Sequence, residues 1–142
     1  MNDKILNECI EINNKRDIHN EFITDGKFDI DKFKEQANWI AISCNQTLSE
    51  EFIREFQDKV NWYHISWKQK LSEDFIREFK DKVCWYHVSR GQKLSKEFII
   101  KNLFCIYIDM LLKNEKIELD TEFIDNIKVL KKLMDGCVGW VY

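Results

Sequence analysis

Cys84 and His87 lie three residues apart, so one helical turn would bring a thiol beside an imidazole, the pairing a nucleophilic thiol needs for its base. Twenty-three residues upstream the same spacing joins Asn61 to His64, so the cysteine is read as a variable structural position rather than a nucleophile. His64 and His87 occupy equivalent slots of neighbouring units. Packed helices stand about 8–10 Å apart, yet two imidazoles still need further ligands to hold a metal. Five cysteines (Cys9, Cys44, Cys84, Cys105, Cys137) form no CxxC pair and no zinc-ligand spacing. Trp39, Trp62 and Trp85 could stack nucleic-acid bases, but each is followed three residues on by Ile42, Ile65 or Val88, which predicts a core ladder. The four glycines (Gly26, Gly91, Gly136, Gly139) are scattered and build no phosphate loop. The expectation is a non-enzymatic protein without metal or cofactor.

What positions these residues is a repeat. Residues 48–70 read LSEEFIREFQDKVNWYHISWKQK and residues 71–93 read LSEDFIREFKDKVCWYHVSRGQK, with 17 of 23 positions identical. A third start, Leu94-Ser95-Lys96-Glu97-Phe98-Ile99, follows in register. One period upstream, Phe33, Trp39, Ile42, Ser43 and Gln46 match Phe56, Trp62, Ile65, Ser66 and Gln69, and Leu119 to Ile124 echo the start once more. Such a period signals an array of small stacked units.

Within the unit, Ser49 suits a helix N-cap, and Glu50 and Glu51 favour the positive end of the helix dipole. Leu48 and Ile53 form a hydrophobic staple, repeated by Leu71/Ile76 and Leu94/Ile99 and echoed by Phe28/Phe33 around Asp29 and Leu119/Ile124 around Asp120. Phe52, Ile53, Phe56 and Val60 make one apolar stripe, while Glu50–Arg54 and Glu55–Lys59 are acid-first pairs on the other face. Helices are predicted over 49–60 and 72–83. The Trp62/Ile65 spacing favours a second short helix, although Val60 to His64 also alternates as a brief strand would.

The array is expected to form one domain over 1–142, with an N-terminal cap at about 1–27, repeats at about 28–99 and a helical cap at about 100–142. Ile5, Leu6, Cys9, Ile10 and Ile12 predict a helix over 3–13. Residues 95–114 read as one longer helix, apolar nearly all round, whose stretch 98–112 would offer a route to a homo-oligomer. Residues 120–135 read as an amphipathic helix stopped by Gly136, with 136–142 folding back onto the core. The fold class predicted is all-α, a small α-solenoid of 23-residue helix–turn units.

Charge narrows the partners. The net charge is −3, without the positive excess a phosphate-backbone binder carries. The apolar stretch Phe98 to Leu112 is interrupted by Lys101, Asn102 and Asp109, so no membrane span is expected. Acidic residues follow Met1 at once, unlike a secretion signal, and the odd cysteine count suits a reducing compartment; cytoplasmic placement in a host cell is expected.

The pattern F-x-x-x-F-x-x-x-V-x-W-x-x-I-S-x-x-x-x-L-S-E-x-F-I, over about 28–99, resembles a short Trp-containing repeat of uncharacterised giant-virus and phage proteins. The resemblance implies a helical array of viral or mobile-element origin that works by contact, and it brings no catalytic motif. The expected function is therefore protein binding that occludes a host protein, as an anti-defence inhibitor would. The candidate contact residues are Tyr63, His64, Trp67, Tyr86, His87 and Arg90. The alternative is nucleic-acid binding through Tyr63, His64, Lys68, Lys70, Tyr86, His87, Arg90 and Lys93.

Overall fold

The computed structural model describes residues 1–15 and 22–138. Among the described residues ten helices and one short hairpin follow in order. They are α1 (Asp3–Lys15), β1 (Ile23–Thr24), β2 (Lys27–Phe28), α2 (Ile30–Gln36), α3 (Trp39–Asn45), α4 (Glu50–Glu55), α5 (Trp62–Lys68), α6 (Glu73–Glu78), α7 (Trp85–Gly91), α8 (Lys96–Lys101), α9 (Ile108–Leu111) and α10 (Thr121–Val138). The protein is all-α, and the second half of each repeat is a helix rather than a strand. The chain divides into two compact units, Met1–Gln69 and Lys70–Tyr142, at the junction of the two near-identical repeats.

The predicted caps form. Ser49, Ser72 and Ser95 accept hydrogen bonds from the backbone N–H of Phe52, Phe75 and Phe98 at 3.1, 3.2 and 3.1 Å. Asp29 and Asp120 do the same for Lys32 and Phe123 at 3.0 and 2.8 Å. The second helices have caps of their own: Asn38 and Asn61 accept from Ala41 and His64 at 3.0 and 3.1 Å. The Phe–Ile pairs Phe52/Ile53, Phe75/Ile76 and Phe98/Ile99 are fully buried at the start of α4, α6 and α8. Each such side chain contributes roughly 1.5–3 kcal/mol on leaving water.

Four expectations are corrected. The first helices of the repeats end at Glu55 and Glu78, and turns carry the chain on to Val60 and Val83. Lys59 donates only three residues back, to Phe56 O, so the predicted Glu55–Lys59 pair has no helix to sit on. Second, 95–114 is not one apolar helix. Asn102 receives the end of α8, its side chain donating to Phe98 O at 2.8 Å, and the chain turns before α9. Its apolar residues serve two short helices of a third full repeat, with Ile106 and Leu111 buried where Val83 and Val88 are buried one period earlier. The expected oligomer face on 98–112 therefore does not exist as a helix face. Third, Gly136 does not stop the last helix, which continues to Val138. Fourth, a hairpin interrupts the N-terminal cap, with Ile23 opposite Phe28 and Asp25-Gly26 turning at φ 49° and 75°. Two successive positive φ values make the tight turn that aspartate and glycine tolerate best. The expected fold-back of 136–142 lies, from Gly139 onward, outside the described residues.

Within each unit the repeats are joined by side-chain amides and hydroxyls. The buried Gln69 accepts from Leu48 N at 2.9 Å and donates to Ser43 O and Gln46 O at 3.1 and 2.7 Å. In the second unit Gln92 accepts from Leu71 N at 3.0 Å. One period on, the buried Asn114 donates to Ser89 O and Gln92 O at 2.9 and 2.8 Å. Ser43 and Ser89 add a second link. Each hydroxyl donates to the carbonyl four residues back and accepts from the N–H of Asn61 or Tyr107, the N-cap of the following second helix. The N–H groups of Leu48, Asn61, Leu71 and Tyr107 lie outside the helical ladders and find their partners in these side chains.

Candidate binding faces

Two devices orient the second helices, an Asn N-cap in α3 and α5 and an indole in α3, α5 and α7. The N-cap sets where the helix starts, and the indole sets its roll. Trp39, Trp62 and Trp85 donate through Nε1 to the carbonyls of Lys34, Gln57 and Lys80 at 3.1, 2.9 and 2.9 Å. All three rings are half-buried, lying over the apolar layer rather than inside it. Trp39 sits 5.0 Å from Phe56, and Trp85 stacks on Phe98 at 6.2 Å. A pinned tryptophan leaves the next residue of the helix pointing outward.

In the first unit, where α3 packs on α5, that outward face carries Tyr63 and Trp67, 51% and 48% exposed. Their rings meet edge to face at 6.3 Å, and the Lys68 ammonium lies 3.9 Å from the Trp67 ring centre. His64 is half-buried and stacks along Trp67 at 6.4 Å. Three of the sequence candidates thus form one aromatic cluster on α5.

In the second unit α7 packs on α9. Tyr86 is exposed and meets the exposed Tyr107 edge to face at 5.9 Å. His87 is only 7% exposed and is removed from the contact surface, because the residue after the outward Tyr86 turns back into the helix packing. The Arg90 guanidinium donates to Lys113 O, which ties it to the end of the third repeat. An open cavity of about 720 Å³ lies beside Tyr86, lined by Trp85, Phe104, Tyr107, Met110 and Lys131. Lys131 reaches from α10 and donates to the carbonyls of Leu103, Phe104 and Ile106 at 2.9, 3.0 and 3.3 Å. The reading of 95–114 as one helix hides Phe104 and Tyr107, and nothing in the sequence marks Lys131; the register of the third start places Tyr107 at the N-cap slot of Cys84.

Chemistry on these faces is sparse. Among the described residues no group of three or more His, Cys, Asp or Glu is placed to hold a metal ion. Cys84 stands at the N-cap of α7, where its sister Asn61 caps α5, and makes no cap bond with its side chain. Cys9 is wholly buried, and burial, with Glu8 nearby, pushes its thiol up to about 12. Among the described residues no helix is long and apolar enough to cross a membrane. Compared with known families, with curated proteins and with solved structures, the chain gives no match.

Proposed function

We propose that this chain is a small α-solenoid that works by binding another protein, and that the outward positions of the second helices make the contact. One observation carries the reading. In α3, α5, α7 and α9 the inward positions keep one chemistry, Ile42, Ile65, Val88 and Leu111, all buried. The second and sixth positions from the N-cap differ as a pair in every helix, Ile40/Cys44, Tyr63/Trp67, Tyr86/Arg90 and Asp109/Lys113, with only the tyrosine of the two near-identical repeats in common. A scaffold held constant while its outward pairs vary is the economy of a repeat binding module. Tyr, Trp and Arg are also the side chains that dominate interface energetics. The near-balance of charge favours a protein over a nucleic acid as the partner. The resemblance to viral and phage repeats makes that partner a protein of the host cell, blocked by occlusion.

The test is a tagged pull-down from lysate of the cells that carry the protein, with mass spectrometry, repeated with Tyr63→Ala and Trp67→Ala. The expected result is one stoichiometric companion, weakened by more than about 1 kcal/mol by each variant at an unchanged melting temperature. Strong retention of the parent on heparin or RNA, fading steeply with salt, would instead establish the nucleic-acid reading. Full-strength capture by the double variant would remove the contact from α5.

A further inference from the structure

The last helix has two apolar faces, and one chain uses only one of them. Phe123, Ile127 and Lys131 turn inward, Ile127 being buried. About 120° around the helix, Val129, Leu130 and Leu133 form a second stripe, with Val129 and Leu133 59% and 62% exposed. Contiguous exposed apolar surface of this kind marks an interaction site.

We infer that α10 pairs with α10 of a second copy, antiparallel and about a two-fold axis, through Val129, Leu130 and Leu133. Shape and charge argue for self-pairing together. Beside the stripe runs a groove of about 450 Å³, lined by Ile100, Phe123, Asn126, Ile127, Val129 and Leu130. Leu133 projects one turn beyond it. When two such helices run antiparallel with Val129 near the axis, Leu133 of each copy reaches the Phe123–Asn126 end of the other's groove. Groove and knob sit on one face at opposite ends, which is what an isologous contact requires.

The charges agree. With Asn126 and Leu133 at the seam, Asp125 and Lys132 are the residues immediately before it in successive heptads, and both are exposed. In an antiparallel pair these flanking positions face one another. Asp125 of each copy then meets Lys132 of the second copy, giving two ion pairs from one chain. A parallel pair would place Asp125 beside Leu130 instead, without a cation. The surface consists of Val129, Leu130 and Leu133, none of them an outward residue of the second helices, so the inference stands apart from the proposed function.

The experiment is sedimentation equilibrium of the full chain from low micromolar to near-millimolar concentration, with circular dichroism on every variant. The parent should show a concentration-dependent dimer. Leu133→Asp should weaken it at least about tenfold with helix content unchanged, since the residue is exposed. Asp125→Lys and Lys132→Asp should each weaken self-association, yet the two variants mixed should form a heterodimer as tight as the parent, because every flanking contact is again between opposite charges. A parent that stays monomeric throughout overturns the inference. So does a mixture that associates no better than either variant alone, which would move the contact off this antiparallel seam.

Discussion

The Gln69 carboxamide satisfies three backbone groups at once, the N–H of Leu48 and the carbonyls of Ser43 and Gln46, in a position only 5% exposed. Removing a buried partner leaves the surviving group with its desolvation cost, about 1–3 kcal/mol for each. Gln69→Ala should therefore destabilise by at least about 3 kcal/mol, read as a fall in the urea midpoint at unchanged slope. Gln69→Glu keeps the acceptor for Leu48 but loses both donors and buries a charge, so it should cost no less. A near-neutral result for either would show that water replaces the carboxamide. The sequence displayed Gln46, Gln69 and Gln92 at one spacing, but a polar residue retained between copies reads equally as an untouched surface position. Only the fold shows that the carboxamide of Gln69 is inside. Cys9 behaves oppositely to the reactive thiol once weighed for Cys84. Wholly buried and with its pKa raised, it should resist alkylation in the folded protein at neutral pH, whereas the exposed Cys105 is labelled first among these three; peptide mapping by mass spectrometry decides it.

At the scale of elements, helices of four to seven residues lie well below the roughly 12–15 residues an isolated helix needs, so caps and packing must hold them. That is why capping chemistry was legible in the sequence: each Ser or Asp start recurred with its staple. Helix ends were not legible. The stripe Phe52, Phe56, Val60 keeps helical spacing through a turn, since Val60 N still donates to Phe56 O as a helix residue would. The repeat also supplies its own improvements. Cys84→Asn restores the cap that Asn61 makes and should stabilise by about 0.5–2 kcal/mol. Gly91→Lys copies Lys68 at a helical position with nothing within 4 Å of an added Cβ, and should add about 0.5–1 kcal/mol. Loss of stability in either variant would mean the copies differ for a reason beyond the cap and the glycine. Acid acts on the same caps. The hydrogen bond from Lys32 N, then that from the Thr24 hydroxyl, holds Asp29 below the usual carboxylate range; for Asp120 the Lys96 ammonium comes first and Phe123 N second. A native pKa below the unfolded one gives stability that is complete above about pH 3.9 and lost as pH falls through the native value. Asp29→Asn keeps the acceptor without the titration, so its urea midpoint should fall less between about pH 6 and pH 2 than the parent's. Equal falls would show that Asp29 titrates alike in both states.

At the scale of the whole molecule, cooperativity has to come from the links between repeats, because the four- to seven-residue helices of the repeats are too short to persist alone. In the first unit such links run to Asn61 N and in the second to Tyr107 N, while Leu48 N and Leu71 N are held by the Gln that closes their own repeat. None of the four amides belongs to a helical ladder; the acceptors for Asn61 and Tyr107 are Ser side chains of the preceding repeat, and those for Leu48 and Leu71 are the Gln side chains near the end of their own repeats. Hydrogen exchange on ordinary loop amides is fast, since local opening frees them. Asn61 and Tyr107 open only when neighbouring repeats part, and Leu48 and Leu71 only when the two ends of their own repeat part. They should therefore exchange as slowly as the buried helical amides of Ile53 and Ile76, measured by heteronuclear NMR after transfer to deuterated water. In Gln69→Ala the protection of Leu48 should vanish at once, and that of Asn61, held by the separate Ser43 hydroxyl, should fall only with the global stability of its unit. Loop-like exchange of all four in the parent, with the helices protected, would mean that the repeats are held by apolar contact alone. The distinction matters for binding: a scaffold locked by buried hydrogen bonds presents Tyr63 and Trp67 already ordered, so less conformational freedom is lost when a partner arrives.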